Sequence, residues 1–449
     1  MATPCGGKPI HTEDVALFSL PPINAAEDKI SWSEYKPSFI SQSGNSSIQF
    51  HIAGNSTQYI DLSRTELYCK IRIEKADGGE FNTTTGSKEY GLPVDQILHS
   101  MWTTCDVKLN HTLVSTSGTN YNYKAYLETL LNYNQGAKKI QLAAIGFSGE
   151  KGDFDQTNPE KDPFSYGLKA RYGWFNGKTC VEFMGPLLAD ICNQDRLILN
   201  GVDVDISLFP SRDPFRLITH PDGIECKLAI EEIFLNVCKV AVSPEVMWGH
   251  NAALAITDAK YPFQRTDIRS FSIPVGSYGQ SLQDIWQGEV PSRLVVGLVK
   301  SSAYAGDFKL NPYKFDSFNI SGAGFYVNGE PTPRQPYRFN MEGCDYLQGL
   351  LSLYRVAGKL NENTDIGITR DTYRQGYNLI GFDVDPTTSA DFRYLGKKKQ
   401  GHTLLDLRFK KALAEPVTVI LYATFPELME IDLARNVKLE EKTKIPTAF

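Results

Sequence analysis

The chain lacks any run of about twenty consecutive apolar residues, so no segment reads as a membrane-spanning helix. It lacks a Cys-x-x-Cys pair, and no two of its seven histidines stand at zinc-helix spacing. A Gly-x-Ser-x-Gly elbow is missing as well. The nearest approach to a phosphate loop, Gly173-Trp-Phe-Asn-Gly177-Lys178-Thr179, is one residue short, and Trp174 and Phe175 would crowd a wrapped phosphate. Asn176-Gly177 therefore reads as a hairpin turn. Gly322-x-Gly324 precedes a strand-like run and not a helix, which argues against a dinucleotide site. Positive charge is not in excess: 46 Lys and Arg against 52 Asp and Glu give −6, so bulk charge does not favour wrapping nucleic acid.

The first 22 residues lack the charged-then-apolar pattern of a secretion signal, and the expectation is of no secretion. The eight cysteines are scattered. Cys69, Cys105 and Cys238 sit in strand-like runs, where a free thiol behaves as a small hydrophobe. A reducing compartment is expected. The Asn-x-Ser/Thr triplets at Asn45, Asn55, Asn82, Asn110 and Asn319 then read as plain polar loop residues.

Turn formers and aromatics are plentiful, with 36 Gly, 24 Pro, 22 Tyr and 24 Phe, and they punctuate short β-like runs. That pattern points to an all-β sandwich or barrel. Leu67, Cys69, Ile71 and Ile73 share one face of a run over 66–73, and Val202, Val204 and Ile206 share another over 197–208. Further runs cover 228–242, 268–273, 293–299, 318–327, 377–384 and 404–409. The last, Val417 to Phe425, sets Val417, Val419, Leu421, Ala423 and Phe425 against Thr418, Tyr422 and Thr424. One face should meet a core and the other solvent or a second layer. Asn200-Gly201 and Asn328-Gly329 suit tight hairpins.

A repeat divides the chain. Tyr-Leu-x-x-Leu-Leu occurs at 126–131 and again 220 positions later at 346–351. Asp106-Val-Lys-Leu-Asn110 precedes the first copy and Phe325-Tyr-Val-Asn328-Gly329 the second. Both read as strand, turn, loop and short helix. A period near half of 449 residues implies two similar domains of roughly 200 residues each. The expected division is an arm at 1–29, a first domain at 30–242, a linker at 243–261, a second domain at 262–434 and a tail at 435–449. Apolar stripes Tyr123, Tyr126, Leu127, Leu130, Leu131 and Tyr346, Leu347, Leu350, Leu351, Tyr354 should pack each helix on its own sheet. Long loops are expected at 134–173, 356–376 and 385–401, the last with the Lys398-Lys399 cluster. Loops of that length usually carry interactions, and 134–173 is expected to be ordered mainly by neighbouring subunits.

No residue is assigned a catalytic, cofactor-binding or metal-binding role. Asp203/Asp205 and Asp383/Asp385 are carboxylates two apart, a spacing that can bind calcium or serve acid–base chemistry, but outward strand polarity explains them. His11, His51, His99, His111, His220, His250 and His402 are too dispersed to propose a ligand set.

Several segments together resemble the double jelly-roll major capsid proteins of tailless double-stranded DNA viruses, in particular those of Polinton (Maverick) elements and adintoviruses. They are Ile60-Asp-Leu-Ser-Arg-Thr-Glu-Leu67, Tyr126-Leu-Glu-Thr-Leu-Leu-Asn-Tyr133, Leu199-Asn-Gly-Val-Asp-Val204, Pro291-Ser-Arg-Leu-Val-Val-Gly297, Gly358-Lys-Leu-Asn-Glu362 and the closing run to Asn436. The similarity covers roughly residues 30–436. It implies an all-β fold of two tandem eight-stranded jelly rolls with a few short helices and long loops. It implies a structural, non-enzymatic role: a homotrimeric, hexon-like, pseudo-hexagonal capsomer that tiles an icosahedral shell in the virion. The implied partners are the chain itself, neighbouring capsomers and minor or penton capsid proteins, with no cofactor and no sequence-specific nucleic acid. Assembly would take place in the host nucleus or cytoplasm. Two other readings stand beside it: a tandem β-sandwich carbohydrate-binding or adhesion protein, and a metal-binding enzyme on a jelly-roll scaffold.

Overall fold

Alternating apolar and polar residues become antiparallel strands along most of the chain. The computed structural model describes residues 26–38, 46–79, 81, 89–116, 118–159, 161, 165–175, 180–220, 223–343, 345–385 and 396–439. The first half contributes β1 (Glu27–Tyr35), β2 (Ile48–Ile52), β3 (Gln58–Lys75), β4 (Trp102–Leu109), β5 (Thr112–Thr116), β6 (Val181–Pro186), β7 (Val204–Pro210) and β8 (Cys226–Val242). They pair in the orders β1-β8-β3-β6 and β2-β7-β4-β5. The second half contributes β9 (Ala259–Ile273), β10 (Gly279–Gln283), β11 (Arg293–Lys300), β12 (Ile320–Val327), β13 (Glu330–Arg338), β14 (Leu379–Asp383), β15 (Thr403–Phe409) and β16 (Val417–Ile431). Their orders are β9-β16-β11-β14 and β10-β15-β12-β13. Adding eight to each strand of the first half reproduces the second. Two four-stranded sheets in this order form a jelly roll, and the chain carries two.

Among the described residues no sheet mixes strands from the two halves. Strand pairing reaches a few residues into the expected arm, linker and tail: β1 starts at Glu27, β9 at Ala259, and Val437–Leu439 pairs with β16. The stretch between β8 and β9 holds a helix, Pro244–Leu254, with proline in its first turn where no N–H is needed.

One sequence expectation changes form. The run at 66–73 is the second part of a longer strand, β3, interrupted where Glu66 pairs with Asn236 and Asp61 with Cys238. Asp61 Oδ1 accepts the Ser63 and Arg64 amides there and holds the extra residues in a local turn. The turn between β12 and β13 has Asn328 at φ 52° and Gly329 at φ 84°, as a two-residue hairpin requires. Its counterpart between β4 and β5 uses Asn110 and His111 at φ 44° and 66°, without glycine. Asn176-Gly177 lies outside the described residues.

The halves differ in what covers their sheets. In β16, Val417, Val419, Leu421, Ala423 and Phe425 point into the second jelly roll's own core. Ile420 and Tyr422, on the opposite face, join a larger core continuous with the first jelly roll. β11 divides the same way: Leu294, Val296 and Leu298 to one core, Val295 and Val299 to the other. The second layer that covers the outer face of β16 is therefore the first half of the chain.

Five helices matter below: α1 (Tyr121–Asn132), α2 (Gln135–Ile140), α3 (Tyr166–Phe175), α4 (Pro244–Leu254) and α5 (Leu347–Val356). α1 and α5 follow the fifth strand of their jelly rolls, so they occupy equivalent places. The repeated motif does not sit in the same register, however. Tyr126 is in the middle of α1, whereas Tyr346 is the N-cap of α5. All residues from Tyr121 to Leu131 are buried. In α5 the buried face is Leu350, Leu353 and Val356, while Leu347 and Leu351 are exposed, which corrects the expected stripe. Replacing Leu350 by alanine is expected to cost about 2–5 kcal/mol as a core truncation. Leu351→Ala should cost under about 0.5 kcal/mol. Urea unfolding of the two variants tests this, and equal losses would contradict the observed face.

The segment 134–173 is not left for neighbouring subunits to order. It contains α2, a 3₁₀ turn and most of α3, and it buries Leu142, Ile145, Phe147, Phe154, Leu168 and Arg171 within its own chain. Lys398 and Lys399 are likewise occupied, ion-paired with Glu427 at 2.8 Å and Asp385 at 3.5 Å.

Candidate functional site: the seam between the halves

The Asp203/Asp205 pair is taken up by contacts within the chain. Asp205 Oδ1 meets His51 Nδ1 at 2.7 Å at the surface, and Asp203 Oδ1 accepts the Gly54 amide at 2.7 Å. Among the described residues no group of three or more His, Cys, Asp or Glu is placed to hold a metal ion. None of the six described cysteines is in a disulfide, and five of them are buried. Gly322 and Gly324 lie within β12.

The chain concentrates its polar and aromatic side chains instead where the jelly rolls meet. Tyr126 of α1 stacks on Tyr313 with ring centroids 3.9 Å apart and planes 9° from parallel. Tyr123 is packed edge-on against Tyr313 and donates from its hydroxyl to Pro312 O at 3.0 Å. Ser100 Oγ and the Tyr313 hydroxyl share a hydrogen bond of 2.7 Å. The Glu150 amide donates to the Tyr377 hydroxyl at 2.9 Å, and the Asn120 side chain accepts from Tyr304 at 2.9 Å. Buried aromatic pairs of this kind add about 0.5–1.5 kcal/mol each beyond their burial.

Charged groups are enclosed here too. Arg171 of α3 is fully buried between Asp95 at 3.6 Å and Glu150 at 2.5 Å, and its Nε donates to Pro93 O at 2.8 Å. Burial pushes the Asp95 carboxyl up to about 6, against the pull of Arg171. Lys138 of α2 donates to Leu130 O at 2.5 Å and Ile366 O at 2.7 Å, tying the halves together. With backbone acceptors in place of a bound carboxylate, burial lowers its amine to about 7. Lys124 of α1 donates to Glu128 at 2.9 Å and reaches Asp190 at 3.1 Å, and Asp190 Oδ2 accepts the Thr266 amide across the seam at 3.0 Å.

A cavity of about 650 Å³ opens beside this last cluster, with Glu128, Asp190 and Arg196 from the first half facing Arg293, Lys359 and Tyr422 from the second. The sequence held a faint signal for it. Lys124 and Glu128, the charged residues of α1, stand one turn apart, a spacing that usually marks a solvated pair. Asp190 and Thr266 carry no local signal.

Comparison with known proteins places this architecture. No family model matches the chain. An uncharacterised protein of Caenorhabditis elegans is 26% identical over 402 residues, spanning 86% of this chain and 92% of the relative. Among solved structures, a chain of the Sputnik virophage superposes with a TM-score of 0.63 at 8% identity, covering 99% of this chain and 94% of that one. The Faustovirus major capsid protein superposes at 0.58 with 9% identity, over 93% and 92% of the two chains. The mavirus major capsid protein gives 0.54 with 12% identity, over 98% and 97%. The fold is thus the double jelly roll along essentially its whole length.

Proposed function

We propose that this chain is a structural major capsid protein that assembles as a homotrimeric, pseudo-hexagonal capsomer of an icosahedral virion enclosing double-stranded DNA. The observation that carries this reading is the duplicated sheet order, matched end to end by solved major capsid proteins. The physical reason is geometric. Two jelly rolls fused across one continuous core make a rigid two-lobed tile, and three such tiles around an axis present six similar lobes. The proposed division keeps the first jelly roll at 30–242 and the second at 262–434, with α4 between them.

Large apolar side chains left exposed on the single chain support a subunit that is covered on assembly: Trp248 and Ile256 on and just after α4, Trp32 on β1, and Tyr278 before β10. The Polinton and adintovirus type is the placement that the sequence resemblance favours. Neighbouring capsomers and a minor or penton capsid protein would be the partners, with assembly in the host nucleus or cytoplasm. The role rests on interface geometry and asks for no catalytic residue or cofactor.

Negative-stain electron microscopy with light scattering on the same sample tests the reading. Three-lobed particles of about 150 kDa are expected from a 50.1 kDa subunit with threefold closure. Monomers of 50.1 kDa in every salt and pH tried would overturn it.

A further inference from the structure

Lys124 is 1% exposed, in the first turn of a helix that is itself buried. Its Nζ has three neighbours: Glu128 Oε2 at 2.9 Å, Asp190 Oδ1 at 3.1 Å and Leu188 O at 2.6 Å. The two carboxyls are not equivalent. Glu128 lies one helical turn away and is gripped from its far side by Asn193 Nδ2. Asp190 comes from a separate turn before β7, and the Thr266 amide donates to its other oxygen. A fixed N–H on that oxygen polarises the side-chain carbonyl and would stabilise negative charge developing there. Amine, carboxyl carbon and a second carboxyl are thus held together without water between them. In such an arrangement an otherwise slow condensation gains a large effective concentration.

The geometry points to an intramolecular isopeptide bond between Lys124 Nζ and the side-chain carbonyl carbon of Asp190, with Glu128 carrying the protons. A proton first passes from the ammonium to Asp190, leaving a neutral amine and a carboxylic acid. The nitrogen lone pair then forms the N–C bond while the carbonyl π pair moves onto the oxygen that the Thr266 amide holds. Glu128 takes a proton from nitrogen and delivers it to the Asp190 hydroxyl. The C–OH bond breaks, and one water leaves into the adjoining cavity. Ammonium and carboxylate become amide and water, with nothing oxidised or reduced.

Burial pushes the Glu128 carboxyl up, so it can hold a proton in this site. The two carboxylates keep the Lys124 amine charged in the resting ion pair, so the neutral pair is a minor form. A minor form suffices for a bond made once per molecule. The product removes a buried ammonium and a buried carboxylate, whose desolvation is costly, and it fastens α1 to the turn that meets the second jelly roll.

Mass spectrometry of the denatured, purified full-length protein decides the matter. The wild-type chain should be lighter than its sequence by one water. Digestion should yield a branched peptide joining the Lys124 segment to the Asp190 segment. Lys124→Arg and Glu128→Gln should keep the full mass. A wild-type chain of full mass with both segments recovered as linear peptides would overturn the inference. So would a water loss mapping elsewhere, for example to a cyclised Asp222-Gly223. The wild-type measurement stands by itself if either variant fails to fold.

Discussion

Arg171→Leu should destabilise the protein by at least about 3–5 kcal/mol, the usual result of removing one partner of a buried ion pair. Asp95 and Glu150 would both remain, 0% and 1% exposed at their side chains, with no cation between them. The change also removes donors to Pro93 O and Ser148 Oγ. Asp95 would keep the Ser148 and Gly149 amides, which partly offset the loss. The pH dependence has a definite sign. A carboxyl raised in the folded state binds more protons there than in the unfolded chain, so it favours folding at low pH and loses that contribution as pH rises. Asp95 is already pushed up to about 6, and loss of the guanidinium raises it further. The variant's deficit should therefore be largest near neutral pH and shrink on mild acidification. Because the cluster anchors the 146–171 stretch, the same variant should be cut there by protease before the wild type is. Urea unfolding at pH 7 and pH 5 provides the check; a loss below about 1 kcal/mol at pH 7 would mean that the cluster contributes little net stability, as surface pairs do.

His99 should oppose this trend. It is fully enclosed, and its Nδ1 lies 3.0 Å from the Tyr121 hydroxyl. That hydroxyl also accepts the Leu188 amide at 3.2 Å. Burial, with the nearby Lys124 charge, lowers its folded value to about 3 from an ordinary 6.5. Between those values the unfolded chain holds a proton that the folded chain does not. Stability from this group is thus complete above pH 6.5 and falls as pH drops through the window. Going from pH 7 to pH 5 should remove about 2 kcal/mol at one proton per molecule. Asp95 acts in the opposite direction over part of that range, so the effect is read as the difference between wild type and His99→Gln. The variant should show the shallower decline. Parallel pH profiles would show that His99 takes up its proton while folded.

Much of the fold is legible in the sequence because strand alternation is local. Leu67, Cys69, Ile71 and Ile73 all point inward, and the Asn328-Gly329 turn forms where its glycine permits. The seam is not legible, since its contacts join residues far apart in the chain. Tyr126 meets Tyr313, Lys138 meets Ile366, and Asp190 meets Thr266. The same separation explains the errors. Residues 134–173 are rich in glycine and charge and so look like a free loop. Lys138, Glu150 and Arg171 find their partners in backbone and side chains elsewhere, which turns apparent solvation signals into internal anchors. The exposed Leu347 and Leu351 show the converse: a six-residue match fixed the place of a helix but not its rotation.

The stack of Tyr126 on Tyr313 has a consequence for synthesis. The ribosome delivers the second ring 187 residues after the first. At ordinary elongation rates of about 5–20 residues per second, that is a wait of about 10–40 seconds. Only after Val242 does the first jelly roll have its strands in hand, and for the last 71 residues of the wait it still lacks the cover for α1, whose tyrosines must stay exposed or be shielded by something else. The most hazardous moment for this chain is therefore mid-translation, and a chaperone able to mask one aromatic helix face for that interval would set the yield of folded protein.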